Sequence, residues 1–194
     1  MPSEVEIKFA IPDLRALERR LRRAGFRLKT RRTHETNTLY DLPDASLRNR
    51  GEVLRLRQYG EDWKLTHKSK GTAARHKTRE ELETGVADGK QMDAILCALG
   101  YQPCFRYEKF RSEWQDSGGH VVLDETPIGN IGEIEGKPRW IDRTAKALGI
   151  QPADYITDSY VGLFFKWKAQ SDSPAENMTF KEVRRARRVQ TARS

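Results

Sequence analysis

The residues best able to do chemistry occur as charges spaced two apart. "EVEIK" sets Glu4, Glu6 and Lys8 around Val5 and Ile7. "LRLR" does the same with Arg55 and Arg57, "WKLTHK" with Lys64 and Lys68 about Thr66, and "REELE" with Arg79, Glu81 and Glu83. Lys109 and Arg111 share one side of "EKFR", Asp124 stands opposite Leu123 in "VVLDET", and Glu133 and Glu135 flank Ile134 in "GEIEG". Side chains two positions apart on a strand share a face, so each motif reads as a strand with one charged and one apolar side. A single such strand would be an ordinary solvated sheet face. Seven together predict something else: the helices must cover the apolar faces, which leaves the charged faces turned toward one another.

Cations alone would suit any polyanion. Four or more carboxylates on facing strands add a preference for a divalent metal held with a polyphosphate, because Mg²⁺ takes carboxylate and phosphate oxygens while Arg and Lys clamp the remaining phosphate oxygens. Such a site would perform phosphoryl or nucleotidyl chemistry by positioning and charge stabilisation. The sequence has no Walker-type glycine loop, so side chains rather than backbone amides would hold the phosphates.

The elements that must position these residues can be read from periodicity. A strand through 3–11 leads into a helix over 12–26, with Leu14, Leu17 and Leu21 at helical spacing, Asp13 as N-cap and Gly25 as stop. Strands follow over 28–40, 53–59 and 63–69, the last two joined through Gly60, Glu61 and Asp62. "GTAARHKT" reads as a solvated loop before the strand "REELETGV" and an amphipathic helix over 88–101. Three more strands and two helices, "RWIDRTAKALGI" and "SYVGLFFKWKAQ", complete the pattern. Eight strands with mostly hairpin-length connections predict an α+β fold: a closed eight-stranded antiparallel β-barrel with a charged interior and helices packed outside.

The bulk properties set limits. The 194 residues suffice for one sizeable core, and 37% hydrophobic against 33% charged residues excludes a wholly disordered chain. No apolar run is long enough to cross a membrane and no signal-peptide core is present, so a cytoplasmic location is expected. Cys97 and Cys104 form no CxxC and are expected as free thiols. The four histidines are scattered and are expected to be structural or solvated. The net charge of +8 favours anionic partners. Residues 171–194 carry six Lys/Arg against three acids and read as a solvated basic helix.

Taken in order, the motifs resemble the CYTH superfamily, the triphosphate tunnel metalloenzymes. "EVEIK" is similar to its ExExK signature, followed by "TLYD" at 38–41, "LRLR", "WKLTHK", "REELE", "EKFR", "LDETPIGNIGEIEG" at 123–136 and "SYVGLF" at 159–164. The resemblance implies one triphosphate tunnel domain over 1–170, with 171–194 a basic C-terminal tail. It implies a metal, Mg²⁺ or Mn²⁺, held by Glu4, Glu6, Glu133 and Glu135 with Asp124, Glu81 and Glu83 in support. Lys8, Arg55, Arg57, Lys64, Lys68, Arg79, Lys109 and Arg111 would bind the triphosphate. Tyr40 matches a position where some hydrolytic members carry a tyrosine near the attacking water, and joins Glu4, Glu6 and Lys8 as the implied catalytic set.

Hydrolysis of a triphosphate, inorganic or organic, is the expected reaction. A class IV adenylyl cyclase, converting ATP to cyclic AMP and pyrophosphate, is the alternative, since one clamp serves both. A non-catalytic polyphosphate or nucleic-acid binder is the third reading. Aromatics are not interleaved with the basic faces and the carboxylates would repel a phosphate backbone, so a small-molecule triphosphate is the expected partner rather than nucleic acid. No membrane partner is expected, and a homodimer is compatible with the sequence.

Overall fold

A computed structural model describes residues 3–73 and 75–191, with side chains from 5–72 and 75–187. In chain order the elements are β1 (Ser3–Ala10), α1 (Leu14–Arg23), β2 (Arg27–Asp41), α2 (Ser46–Arg50), β3 (Val53–Tyr59), β4 (Asp62–Lys68), β5 (Thr72–Ala73), β6 (Lys77–Val86), α3 (Gly89–Ala98), β7 (Gln102–Gln115), β8 (Gly119–Thr126), β9 (Gly129–Gly136), α4 (Pro138–Ala147), α5 (Tyr160–Ser171) and α6 (Phe180–Thr191). Eight strands close a ring in the order β1-β9-β8-β7-β2-β3-β4-β6 and back to β1, every neighbour antiparallel. The expected closed barrel with external helices is therefore present. Two elements add to the sequence reading: the short helix α2, and β5, two residues that pair with β6 alongside the ring.

The period-two alternation dictates which side chains go where. Ile7 and Phe9 of β1, Trp114 of β7, Val121 and Leu123 of β8 and Ile134 of β9 point outward and are buried under α1 and α4 through Leu17, Leu21, Trp140, Ile141 and Leu148. Asp13 accepts from the Ala16 amide and caps α1 as its sequence predicts. Gly132 matters for a different reason: a Cβ there would lie 2.1 Å from the Phe9 ring, so only glycine lets β9 accept that side chain. On the opposite wall α3 covers Tyr40 and Leu56 with Leu96.

A third apolar cluster closes one end of the barrel. Tyr160 and Phe164 of α5 pack on Leu39, Phe105, Tyr107 and Ile131, all of which occupy inward positions on their strands. Two single-residue bridges strap α5 in place. Before it, Ile156 exchanges backbone hydrogen bonds with Lys8, on the stretch of β1 edge that β6 leaves bare; after it, Met178 pairs with β7 beside Tyr107, where β8 has ended.

The basic C-terminal stretch departs from its expected solvated state. Ala175, Met178, Val183 and Ala186 are buried in the same cluster, Phe180 lies against Phe110, and Arg187 donates to the Pro127 carbonyl. Apolar residues on one side of α6 give it a face to bury, and Arg184 and Arg185 are exposed on the other. Within "GTAARHKT", expected as a solvated loop, Thr72–Ala73 form β5 and the His76 side chain is nearly enclosed. Cys97 and Cys104 are free and exposed.

Candidate active site

The inward charges surround a cavity of about 570 Å³. Its lining includes Glu6 and Lys8 from β1, Arg55 and Arg57 from β3, Lys68 from β4, Arg79, Glu81 and Glu83 from β6, Lys109 and Arg111 from β7, and Glu133 and Glu135 from β9. Alternation on six different strands thus delivers twelve of the sixteen residues expected at the site to one space. In all, nine Lys/Arg and six Glu line it, which leaves the wall with an excess of positive charge.

The charges are ordered by one another. Lys8 Nζ lies 2.7 Å from Glu6 and 3.3 Å from Glu133. Arg111 bridges Asp124 and Glu133, and Lys109 sits 3.0 Å from Asp124 and 3.3 Å from Glu35. Across the cavity Lys68 meets Glu81 at 2.6 Å, Lys64 meets Glu83 at 2.6 Å, and Arg57 reaches Glu83 at 3.4 Å. Buried charges require such pairing, since an isolated one costs several kcal/mol (roughly). Burial would raise the Glu35 carboxyl, but Lys109, Arg111 and Arg57 outweigh it and hold the group at about 2. Glu133 is likewise held well below the ordinary carboxylate range against its burial, by Arg111, Lys8 and Lys109. Burial pushes the Tyr160 hydroxyl well above its usual range, and Asp124 and Glu133 push it further.

Four of the expected residues stand elsewhere. The Glu4 side chain lies outside those described, although its backbone pairs with Arg79. Asp124 is fully buried behind the wall, its oxygens taken by Arg111, Lys109 and the Tyr160 hydroxyl, so it orients cations instead of facing a metal. Lys64 is half exposed at the rim, on the inward face but outside the cavity lining. Tyr40 is a correction: it points outward beneath α3, hydrogen-bonded to Asp93, because it alternates with the inward Asn37 and Leu39. It has no access to the cavity.

The sequence reading also passed over residues that the structure brings in. Glu35 sits at the centre of the cationic wall with no exposure, and reading β2 with period two from Leu39 would have found it. Lys77 shares the inward face with Arg79 because β6 begins two residues earlier than the "REELETGV" strand. His120, the only histidine in the lining among the described residues, carries no motif of its own. Tyr160 and Tyr107 stack at 5.6 Å, with Lys109 Nζ 4.4 Å from the Tyr160 ring centre.

A barrel wall of this kind agrees with the family comparison, in which residues 2–160 match the model of the CYTH domain. The chain belongs to the CYTH domain family. Within it, a Methanocaldococcus jannaschii protein named as a candidate adenylate cyclase is 26% identical over 171 residues, covering 82% of this chain and 97% of that protein. A Vibrio parahaemolyticus structure, also named as a candidate adenylate cyclase, superposes with a TM-score of 0.74 at 20% identity, over 84% of this chain and 97% of that one. A Hippeastrum structure, named as a candidate adenylyl cyclase that reveals a dominant triphosphatase activity, gives 0.62 at 20% identity, over 84% and 95%. The two structural likenesses establish a shared fold.

The CYTH family carries the expectation of a divalent metal, and the cavity's donors suit one. Glu6 and Glu135 are directly opposed register partners on β1 and β9, both on the cavity side. A cation bound on that side would offset the repulsion between two directly opposed carboxylates. The carboxylates are hard oxygen donors of the type Mg²⁺ and Mn²⁺ prefer. Among the described residues no three acidic, His or Cys groups converge, so a metal here would take at most one or two carboxylates, with phosphate oxygens and water supplying the rest.

Proposed function

We propose that this chain is a metal-dependent enzyme that hydrolyses a small triphosphate in its barrel. One observation carries the reading: Arg55 Nε and Arg57 Nε are buried, adjacent on the cavity wall, and donate to nothing. Buried guanidinium donors without an acceptor call for an anion, and a phosphate oxygen is the acceptor that fits an Arg fork. The first turn of α5 also lines the cavity through Ser159, Tyr160 and Val161, so the positive end of that helix adds to the same field.

Glu6 and Glu135 would hold the divalent metal, with phosphate oxygens and water completing its coordination. When bound, the metal polarises phosphate oxygens and lowers the pKa of a coordinated water. Arg55, Arg57, Lys109 and Arg111 would bind and orient the phosphates, with Lys8 held between Glu6 and Glu133 to meet a charge developing on the reacting phosphoryl group. Glu35 and Asp124 would hold Lys109 and Arg111 in those orientations. Water attack on the terminal phosphorus needs nothing further of a base-recognition site. The dominant triphosphatase activity of the Hippeastrum neighbour supports this order of preference.

Cyclisation of ATP is the second reading, favoured by the name of the Methanocaldococcus jannaschii relative. The deciding experiment offers ATP, tripolyphosphate and thiamine triphosphate separately with Mg²⁺ or Mn²⁺ and resolves the products. Orthophosphate is expected; cyclic nucleotide with pyrophosphate would replace hydrolysis by cyclisation. Tight binding without turnover would make the barrel a binding module.

A further inference from the structure

Asp142 of α4 gathers side chains from two other parts of the chain. Its Oδ1 lies 3.0 Å from His76 Nε2 and accepts from Arg75 Nε at 3.2 Å and from the Tyr155 hydroxyl at 3.1 Å. His76 is nearly enclosed there, its side chain 12% exposed. Burial alone would raise the Asp142 carboxyl, yet the bonds to His76 and Tyr155 hold it below its ordinary range. None of these four residues lines the cavity.

Their place in the barrel gives the cluster its meaning. Among the described residues the β1–β6 seam that closes the ring is four residue pairs long, from Ser3↔Glu80 to Glu6↔Lys77, whereas β2 and β7 share twelve. His76 immediately precedes Lys77, the last pair of that seam. Tyr155 immediately precedes Ile156, which takes over the β1 edge at Lys8 where the seam ends. Asp142 therefore clasps together the two segments that flank β1 at Glu6 and Lys8.

We propose that Asp142 is a positioning residue for the anion site. Through His76, Arg75 and Tyr155 it pins the short closing seam, so that Lys77 and Arg79 are already set on the cavity wall before a ligand arrives. This rests on the triphosphate reading of the cavity. A wall that must be ordered on binding loses affinity, and a pre-set one does not.

Asp142→Asn keeps the shape and one acceptor oxygen but removes the charge. With Mg²⁺ present, tripolyphosphate affinity by calorimetry should fall about 3- to 10-fold, and KM should rise by the same factor with kcat within about 2-fold. Amide hydrogen exchange should accelerate at 77–80 but not at 63–68 in β4. Adding His76→Ala to Asp142→Asn should cost less than the sum of the two single changes, as expected for partners in one cluster. Unchanged exchange at 77–80, a loss confined to kcat, or strictly additive effects would overturn the clasp while wild-type binding remained intact. Failure of the wild-type protein to bind any triphosphate would instead overturn the reading of the cavity.

Discussion

The two ends of the barrel interior are built on opposite physical terms. Toward one end the inward positions are Glu35 on β2, Arg57 and Arg55 on β3, Arg111 and Lys109 on β7, and Glu135 and Glu133 on β9. On the same faces of the same strands they become Leu39, Val53, Tyr107 with Phe105, and Ile131, where α5 supplies Tyr160 and Phe164. The apolar end is complete in itself: burying rings and aliphatic groups stabilises it whatever else is bound. The charged end is incomplete. Its paired ions cost desolvation, and its orphaned arginine donors gain nothing until an anion comes. Stability is thus concentrated beside α5, and binding is concentrated where stability was given up.

Substitutions can break or sharpen that contrast. Phe164→Ala should cost about 3–5 kcal/mol of unfolding free energy in urea, since the ring is wholly buried in the end cluster; a loss below about 1 kcal/mol would mean the end is loosely closed. Acid should probe the charged end next. Glu35 is depressed from 4.5 to about 2 in the folded state, so its contribution is present above pH 4.5 and disappears as pH falls from there toward 2. Linkage puts that contribution at roughly 3 kcal/mol, and Glu35→Gln should flatten the acid limb of a urea-midpoint titration. An unchanged limb would place the acid sensitivity in other groups. Glu6→Gln should lower metal-dependent turnover by about 100-fold or more, with Glu133 left to pair Lys8 in the folded protein. Undiminished turnover would remove Glu6 from the metal site. Tyr40→Phe marks the small end: it loses one hydrogen bond to Asp93, about 1 kcal/mol, and should leave kcat and KM alone because it faces α3. A large drop in kcat there would return Tyr40 to the chemistry.

What could be read in advance follows from the range of the forces involved. The inward set was legible because strand alternation is local: Arg55, Arg57, Glu81, Lys109 and Glu133 each follow from the residue between them and the next. The same rule, carried along β2, places Glu35 inward and Tyr40 outward, whereas correspondence to a family motif alone draws Tyr40 into the site. The stagger between strands was not legible. Which stretches of edge on β1 and β7 are left bare depends on ring closure, so neither the Ile156 nor the Met178 bridge has a local signature. The burial of α6 was hidden by composition, because Val183 and Ala186 are few among arginines. His76 read as a loop histidine since its partner, Asp142, is 66 residues away.

The closing seam also bears on how the chain reaches this state. β1 precedes the other strands of the barrel in the chain, yet its register partners are in β6 and β9: Ile7 must wait for Ile134, and Glu6 for both Lys77 and Glu135. Until then Val5, Ile7 and Phe9 are an apolar edge without neighbours, the kind of segment that pairs with the wrong strand. Such distant pairing places this barrel among slow folders, with ring closure as the late event. A nascent or refolding chain would be most exposed to aggregation in the interval before β9 arrives.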